Sequence, residues 1–149
     1  MTDFSGKFTQ KVDPKGRVCV SGKLLSCLQD EAERWFRICP GDPVVAGSSS
    51  ALLFLRLIPE SEYHDWAEWT RPKWEGARDP RTREEKREAR RFLGDVEKVK
   101  LDAQGRFTLP PQLRDAAGIE GEALLHGDGL FVEFWNPAQY EMEMAGEGE

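Results

Sequence analysis

Polar and apolar positions alternate in two short pairs of stretches, residues 7–12 with 17–20 and residues 97–101 with 106–109, and each pair predicts a β-hairpin. Asp13-Pro14-Lys15-Gly16 stands between the first two arms and Asp102-Ala103-Gln104-Gly105 between the second two. Asp, Pro and Gly suit the first, second and fourth positions of a tight turn, and the first copy has all three. After each hairpin the spacing changes. Leu24, Leu25, Cys27, Leu28 and Ala32 share one helical face over residues 24–33. Strands are predicted at 35–39 and 51–57, set off by PGDP and GSSS turns, and Pro59 then opens a helix with Tyr63, Trp66 and Ala67 on one side. In the second half a short helix at 111–117 closes on Gly118, strands at 123–126 and 130–134 flank Gly127-Asp128-Gly129, and Pro137 opens the last helix. The order strand, strand, helix, strand, strand, helix therefore occurs twice.

The duplication extends to identities. Lys11, Asp13, Gly16, Arg17 and Leu24 recur as Lys100, Asp102, Gly105, Arg106 and Leu113 at a constant offset of 89. An apolar residue precedes each Asp and follows each Arg. Each carboxylate is expected to accept backbone N–H bonds across its turn and to reach the Arg that follows. A half of roughly 60 residues is marginal on its own, so the two halves are expected to share one core. The resulting organisation is a first repeat at 1–70, a basic linker helix at 71–94, a second repeat at 95–145 and a tail at 146–149. The fold class is α+β, mainly β.

Composition narrows the function. The 149 residues carry a net charge of −6, with 39% hydrophobic residues, five Trp and eight Phe. No apolar run approaches the ~20 residues of a membrane span, and the first ten residues lack the apolar stretch of a secretory signal. A cytoplasmic protein with no membrane partner is expected. The charge is uneven. Lys7, Lys11, Lys15, Arg17 and Lys23 oppose only Asp13, whereas Glu141, Glu143, Glu147 and Glu149 stand without a base among them. Residues 71–91 hold nine basic residues against five acidic ones, with Asp79 and Pro80 placed to start a helix ending near Gly94. That helix is read first as a solvated element with Glu–Lys and Glu–Arg pairs, and otherwise as a subunit or phosphate contact. Cys19, Cys27 and Cys39 form no CxxC pair and read as small buried hydrophobes. His64 and His126 read as packing or surface residues. No nucleophile elbow, phosphate loop or metal-ligand spacing is present, so neither an enzyme nor a metal or other cofactor is expected.

The second repeat carries a resemblance. Phe92-Leu93-Gly94, then Asp102-Ala-Gln-Gly-Arg106, Leu109-Pro110-Pro111-Gln112-Leu113-Arg114, Ala117-Gly118 and Phe131-Val132-Glu133-Phe134-Trp135 together resemble the MraZ family. The first repeat keeps Asp13-x-x-x-Arg17 but has Ser21-Gly22-Lys23-Leu24-Leu25 where that family usually has a Pro-initiated helix ending in Arg. The resemblance implies a swapped-hairpin (double-split) β-barrel of the AbrB-like type, closed homo-oligomeric rings, and a nucleoid-associated transcriptional regulator. Its partner would be double-stranded DNA, bound at short direct repeats upstream of a division and cell-wall gene cluster, with no small-molecule ligand. Carried over, Lys15, Arg17 and Arg106 would contact DNA. Asp13, Gly16, Asp102 and Gly105 would shape the turns and orient the arginines. Lys7, Lys11, Lys23, Lys98 and Lys100 are further phosphate candidates, although strand alternation turns some of them away. The alternative is a ring-forming interaction module of the same fold that has lost DNA binding.

Overall fold

The computed structural model describes residues 2–42, 52–70 and 82–146. In chain order the elements are β1 (Lys7–Lys11), β2 (Arg17–Cys19), α1 (Gly22–Leu25), β3 (Trp35–Pro40), β4 (Phe54–Pro59), α2 (Glu60–Thr70), α3 (Arg83–Gly94), β5 (Glu97–Lys100), β6 (Arg106–Thr108), α4 (Pro111–Ala116), β7 (Glu122–Asp128), β8 (Phe131–Trp135) and α5 (Pro137–Gly146). The expected double pass of strand, strand, helix, strand, strand, helix is present.

The pairing differs from two self-contained hairpins. The strands flanking each turn separate beyond it, and each pairs with the other half of the chain. β1 runs antiparallel to β7, with Phe8 opposite Leu125, and β5 runs antiparallel to β3, with Val99 opposite Phe36. β2 and β6 pair with each other, Val18 facing Phe107. The result is a six-stranded sheet in the order β1-β7-β8-β4-β3-β5 and a separate two-stranded ribbon. Each half thus lends its first strand to the other's edge. The sheet is open: β1 and β5 are its edges, and the ribbon lies over one face. The closure of a barrel is not among these pairings.

Both faces of the sheet are covered. On one side Phe36, Ile38, Leu55, Leu57, Leu125, Val132 and Phe134 pack against Val18 and Phe107 of the ribbon, Leu24 of α1 and Leu113 of α4. On the other, α2 sets Tyr63, Trp66 and Ala67 on Cys39 and Ile58, and α5 sets Tyr140 against Phe54, Leu124 and Trp135. Double coverage explains why the central β4 reads as a nearly continuous apolar run, FLRLIP, instead of alternating.

Several boundaries move. The helix expected over 24–33 is a single turn, Gly22–Leu25, capped by the Ser21 hydroxyl accepting from Lys23 N–H. The second predicted strand begins at Phe54 and runs through Pro59, so Pro59 ends a strand directly before α2. Of the three cysteines only Cys39 is buried, its thiol pushed up to about 12 by desolvation; Cys19 and Cys27 are half-buried. Trp66 belongs to the core under α2. The GSSS turn, the Asp79–Pro80 helix start, Trp74, the side chain of Trp69 and residues 147–149 lie outside the described residues.

Candidate nucleic-acid interface

The ribbon positions the charged side chains by simple alternation. Arg17 lies opposite Thr108 and Cys19 opposite Arg106, while Val18 and Phe107 point into the core. Arg17 and Arg106 therefore share the solvent face as diagonal neighbours, about 7–8 Å apart between α-carbons by ladder geometry. Their side chains are 58% and 55% exposed.

Each arginine is held by its own turn. Asp13 Oδ1 accepts the backbone N–H of Lys15 at 2.9 Å and of Arg17 at 2.8 Å, and Asp13 Oδ2 accepts Arg17 Nε at 2.6 Å. Asp102 repeats the set, with Gln104 N–H, Arg106 N–H and Arg106 Nε all at 2.9 Å. Each carboxyl is held below its ordinary range, first by the backbone N–H of the arginine it also pairs with. The stabilisation each carboxylate gives its turn is therefore present above the ordinary Asp value and is lost as pH falls through the lowered one. Nε is occupied in each case, which leaves the outer edge of the guanidinium pointing at solvent. The Arg106 Nη2 bond to Gln104 Oε1 is long, at 3.3 Å.

The turns are also tied across the repeats. Gly16 O accepts Leu109 N–H at 2.9 Å and Gly105 O accepts Val20 N–H at 2.8 Å. Gly16 and Gly105 have φ of +86° and +82°, a region that side chains with a β-carbon rarely adopt. A β-carbon on Gly16 would lie 2.6 Å from Arg114 Nη1, and one on Gly105 would lie 3.0 Å from Leu25 Cδ1. Each turn is thus covered by the first helix of the opposite half.

The lysines divide. Lys15 is exposed on the first turn and Lys23 on α1. By contrast, Phe8 and Val99 pack on the ribbon-side core, so Lys7, Lys11, Lys98 and Lys100 project from the other face. There Lys7 Nζ sits 5.5 Å from the Tyr140 ring, and Lys98 and Lys100 sit 5.0 and 5.5 Å from that of Trp35. Those four do not join the arginine face. Sequence reasoning missed Arg114; its mismatch with Leu25 at the common offset was visible, but the crossing that places it on the first turn was not.

Substituting Asp102 separates scaffold from charge. Asp102→Asn is expected to keep most of the turn, whereas Asp102→Ala should loosen it and weaken DNA binding. Tighter binding by Asp102→Ala in a titration would show that the carboxylate acts only as a repulsive charge.

A second polar cluster lies on the face away from the ribbon. Glu133, 12% exposed, accepts Trp135 Nε1 at 3.0 Å and lies 3.8 Å from His126 Nδ1. Arg56 turns instead to Asp42 at 2.9 Å. Burial, aided by nearby Asp128, pushes the Glu133 carboxyl up from 4.5 to about 7. A raised acid binds a proton more tightly folded than unfolded, so stability should fall as pH rises from about 4.5 to 7 and level off above. Glu133→Gln is expected to remove that slope and to stabilise the protein at pH 8 by about 2–3 kcal/mol. Urea unfolding at pH 5 and pH 8 checks it; equal pH dependence in both proteins would refute the assignment. Among the described residues no group of three or more His, Cys, Asp or Glu is placed to hold a metal ion, and no helix is long and apolar enough to cross a membrane.

The chain is similar to known proteins over most of its length. The family model described as "MraZ protein, putative antitoxin-like" matches residues 92–145. Transcriptional regulator MraZ of Marinobacter nauticus is 32% identical over 136 residues, 91% of this chain and 83% of the relative. That of Thermomicrobium roseum is 30% identical over 149 residues, 97% of this chain and 92% of the relative. That of Thioalkalivibrio sulfidiphilus is 29% identical over 133 residues, 89% and 79%.

Proposed function

The chain belongs to the MraZ family, and from that premise we propose that it is a regulator of transcription, not an enzyme, that reads double-stranded DNA with Arg17 and Arg106. The observation that carries the reading is the pair of Asp-anchored arginines on the solvent face of one ribbon. An arginine fixed through Nε offers its outer edge as a ready fork for guanine or phosphate. Lys15 adds a cation beside the first turn. The same proposal places its action at the nucleoid, on direct repeats upstream of a division and cell-wall gene cluster.

Self-association belongs to the same reading, because one footprint of this size binds weakly, whereas linked footprints gain ~10²–10⁴ in avidity. Two surfaces support it. Arg83, Lys86, Arg87 and Arg90 share one face of α3. A groove of about 1080 Å³ beside Trp35, which is 46% exposed, has an acidic excess, with Asp30, Glu33, Glu60, Glu62 and Asp65 against Arg34 and Lys100. Opposite charges on different surfaces suit a head-to-tail contact that closes into a ring. The barrel closure of the AbrB-like type is part of the same proposal.

Binding to duplexes from the upstream region, measured from low to high salt, tests the reading. Affinity should fall steeply, by about 0.9 in log–log slope for each phosphate neutralised. Flat salt dependence would favour a protein-interaction module. Light scattering on the same samples should give a mass above a dimer, and a monomer at all salts would remove the avidity argument.

A further inference from the structure

We propose that the DNA-binding face is lopsided, with the Asp13–Arg17 turn as its strong end, and that the strength is supplied by Arg114, a phosphate-binding residue contributed by the other repeat. This rests on the DNA-binding reading above and adds to it a residue and a direction.

The first turn gathers three cations. Lys15 and Arg17 belong to it, and Arg114 of α4 lays its guanidinium against the bare backbone of Gly16. At the second turn the residue matching Lys15 is Gln104 and the residue matching Arg114 is Leu25, so no arginine joins Arg106 there. The covering helix α1 brings only Lys23, exposed two residues before Leu25 and matched by Gln112 on α4. Arg17 is partly neutralised by Asp13, whereas Arg114 forms no ion pair among the described residues. Its charge is therefore free for a ligand.

The crossing reverses the simplest expectation. The first repeat differs from the second over Ser21–Leu25, ending in Leu25 where the second ends in Arg114, which on a linear reading would weaken the first Asp–Arg turn. Because the strands are exchanged, α1 covers the second turn and α4 covers the first. The difference leaves Leu25 over the Asp102–Arg106 turn and sets Arg114 over the Asp13–Arg17 turn. A cation fixed beside a base-reading arginine serves by gripping the adjacent phosphate, which sets register without reading sequence.

The experiment uses the full chain and a random-sequence DNA duplex, since a phosphate contact does not depend on sequence. Arg114→Leu makes the first turn resemble the second, and Leu25→Arg makes the second resemble the first. For each subunit engaged, Arg114→Leu is expected to flatten the log–log salt slope by about 0.9 and to weaken binding roughly eightfold at 0.1 M salt. Leu25→Arg is expected to steepen the slope and tighten binding by similar amounts. Arg17→Ala should cost more than Arg106→Ala.

Arg114→Lys, which keeps the charge and the stem, should retain the wild-type slope and guards against a folding defect in Arg114→Leu. A weaker Arg114→Leu protein with an unchanged slope would make Arg114 a packing residue and overturn the proposal. So would equal losses from Arg17→Ala and Arg106→Ala, or no gain from a folded Leu25→Arg chain. A wild-type protein whose DNA binding ignores salt would instead sink the DNA-binding reading itself.

Discussion

A chain carrying Arg17→Ala and Arg106→Ala together is expected to lose sequence-specific DNA binding while folding and assembling as before. Each bidentate base contact is worth about 1–3 kcal/mol, so the pair should cost about 2–6 kcal/mol of affinity. The fold should hardly notice, because both side chains are more than half exposed and their backbones stay in the ribbon ladder. Exposed ion pairs contribute little to stability. Titration of an operator duplex, alongside a thermal melt and a mass measurement, separates the two effects. Retained affinity in a folded, assembled double variant would take the arginine face out of the mechanism.

Phe134→Ala should do the reverse, removing binding by removing the fold. Phe134 is fully buried on β8, and its ring meets that of Phe107 edge-on at 5.7 Å and 85°. Phe107 is the inward side chain of β6, so this contact seats the ribbon on the sheet. Truncating a buried Phe costs about 3–5 kcal/mol, a large share of the roughly 5–15 kcal/mol that holds a domain together. Denaturant unfolding should show the loss directly, and DNA affinity should fall with the ribbon's order. A midpoint within error of wild type would mean that the ribbon is seated by other contacts.

What the sequence revealed follows from how local each feature is. The two turns could be read because Asp, Gly and Arg act within four residues of one another; a repeated spacing is enough to see them. The exchange of strands could not, since Lys7 finds its partner at His126 and nothing near β1 encodes that choice. The helix expected over residues 24–33 failed for a local reason that periodicity ignores. Asp30 folds its carboxylate back onto Ala32 N–H, and Gln29 N–H is taken by the Thr2 hydroxyl, so the chain turns where the apolar spacing would continue a helix. The lysines needed one further fact, which face of β1 and β5 meets the core. Phe8 and Val99 supplied it only once their packing was known.

The exchanged strands also govern how the protein comes into being. A chain made from its N-terminus has β1 in hand early, yet the partner of β1 is β7, which ends at Asp128 of 149 residues. Until then β1 has an unsatisfied edge and β2 waits for β6. Pairings this distant in sequence are slow to form and leave strand edges open to wrong partners in the meantime. Synthesis interrupted anywhere before β7 should therefore yield no half-strength regulator, only an aggregation-prone fragment. Assembly of the arginine face becomes an all-or-none event that waits for β6 and β7, so a product cut short before them does not present it.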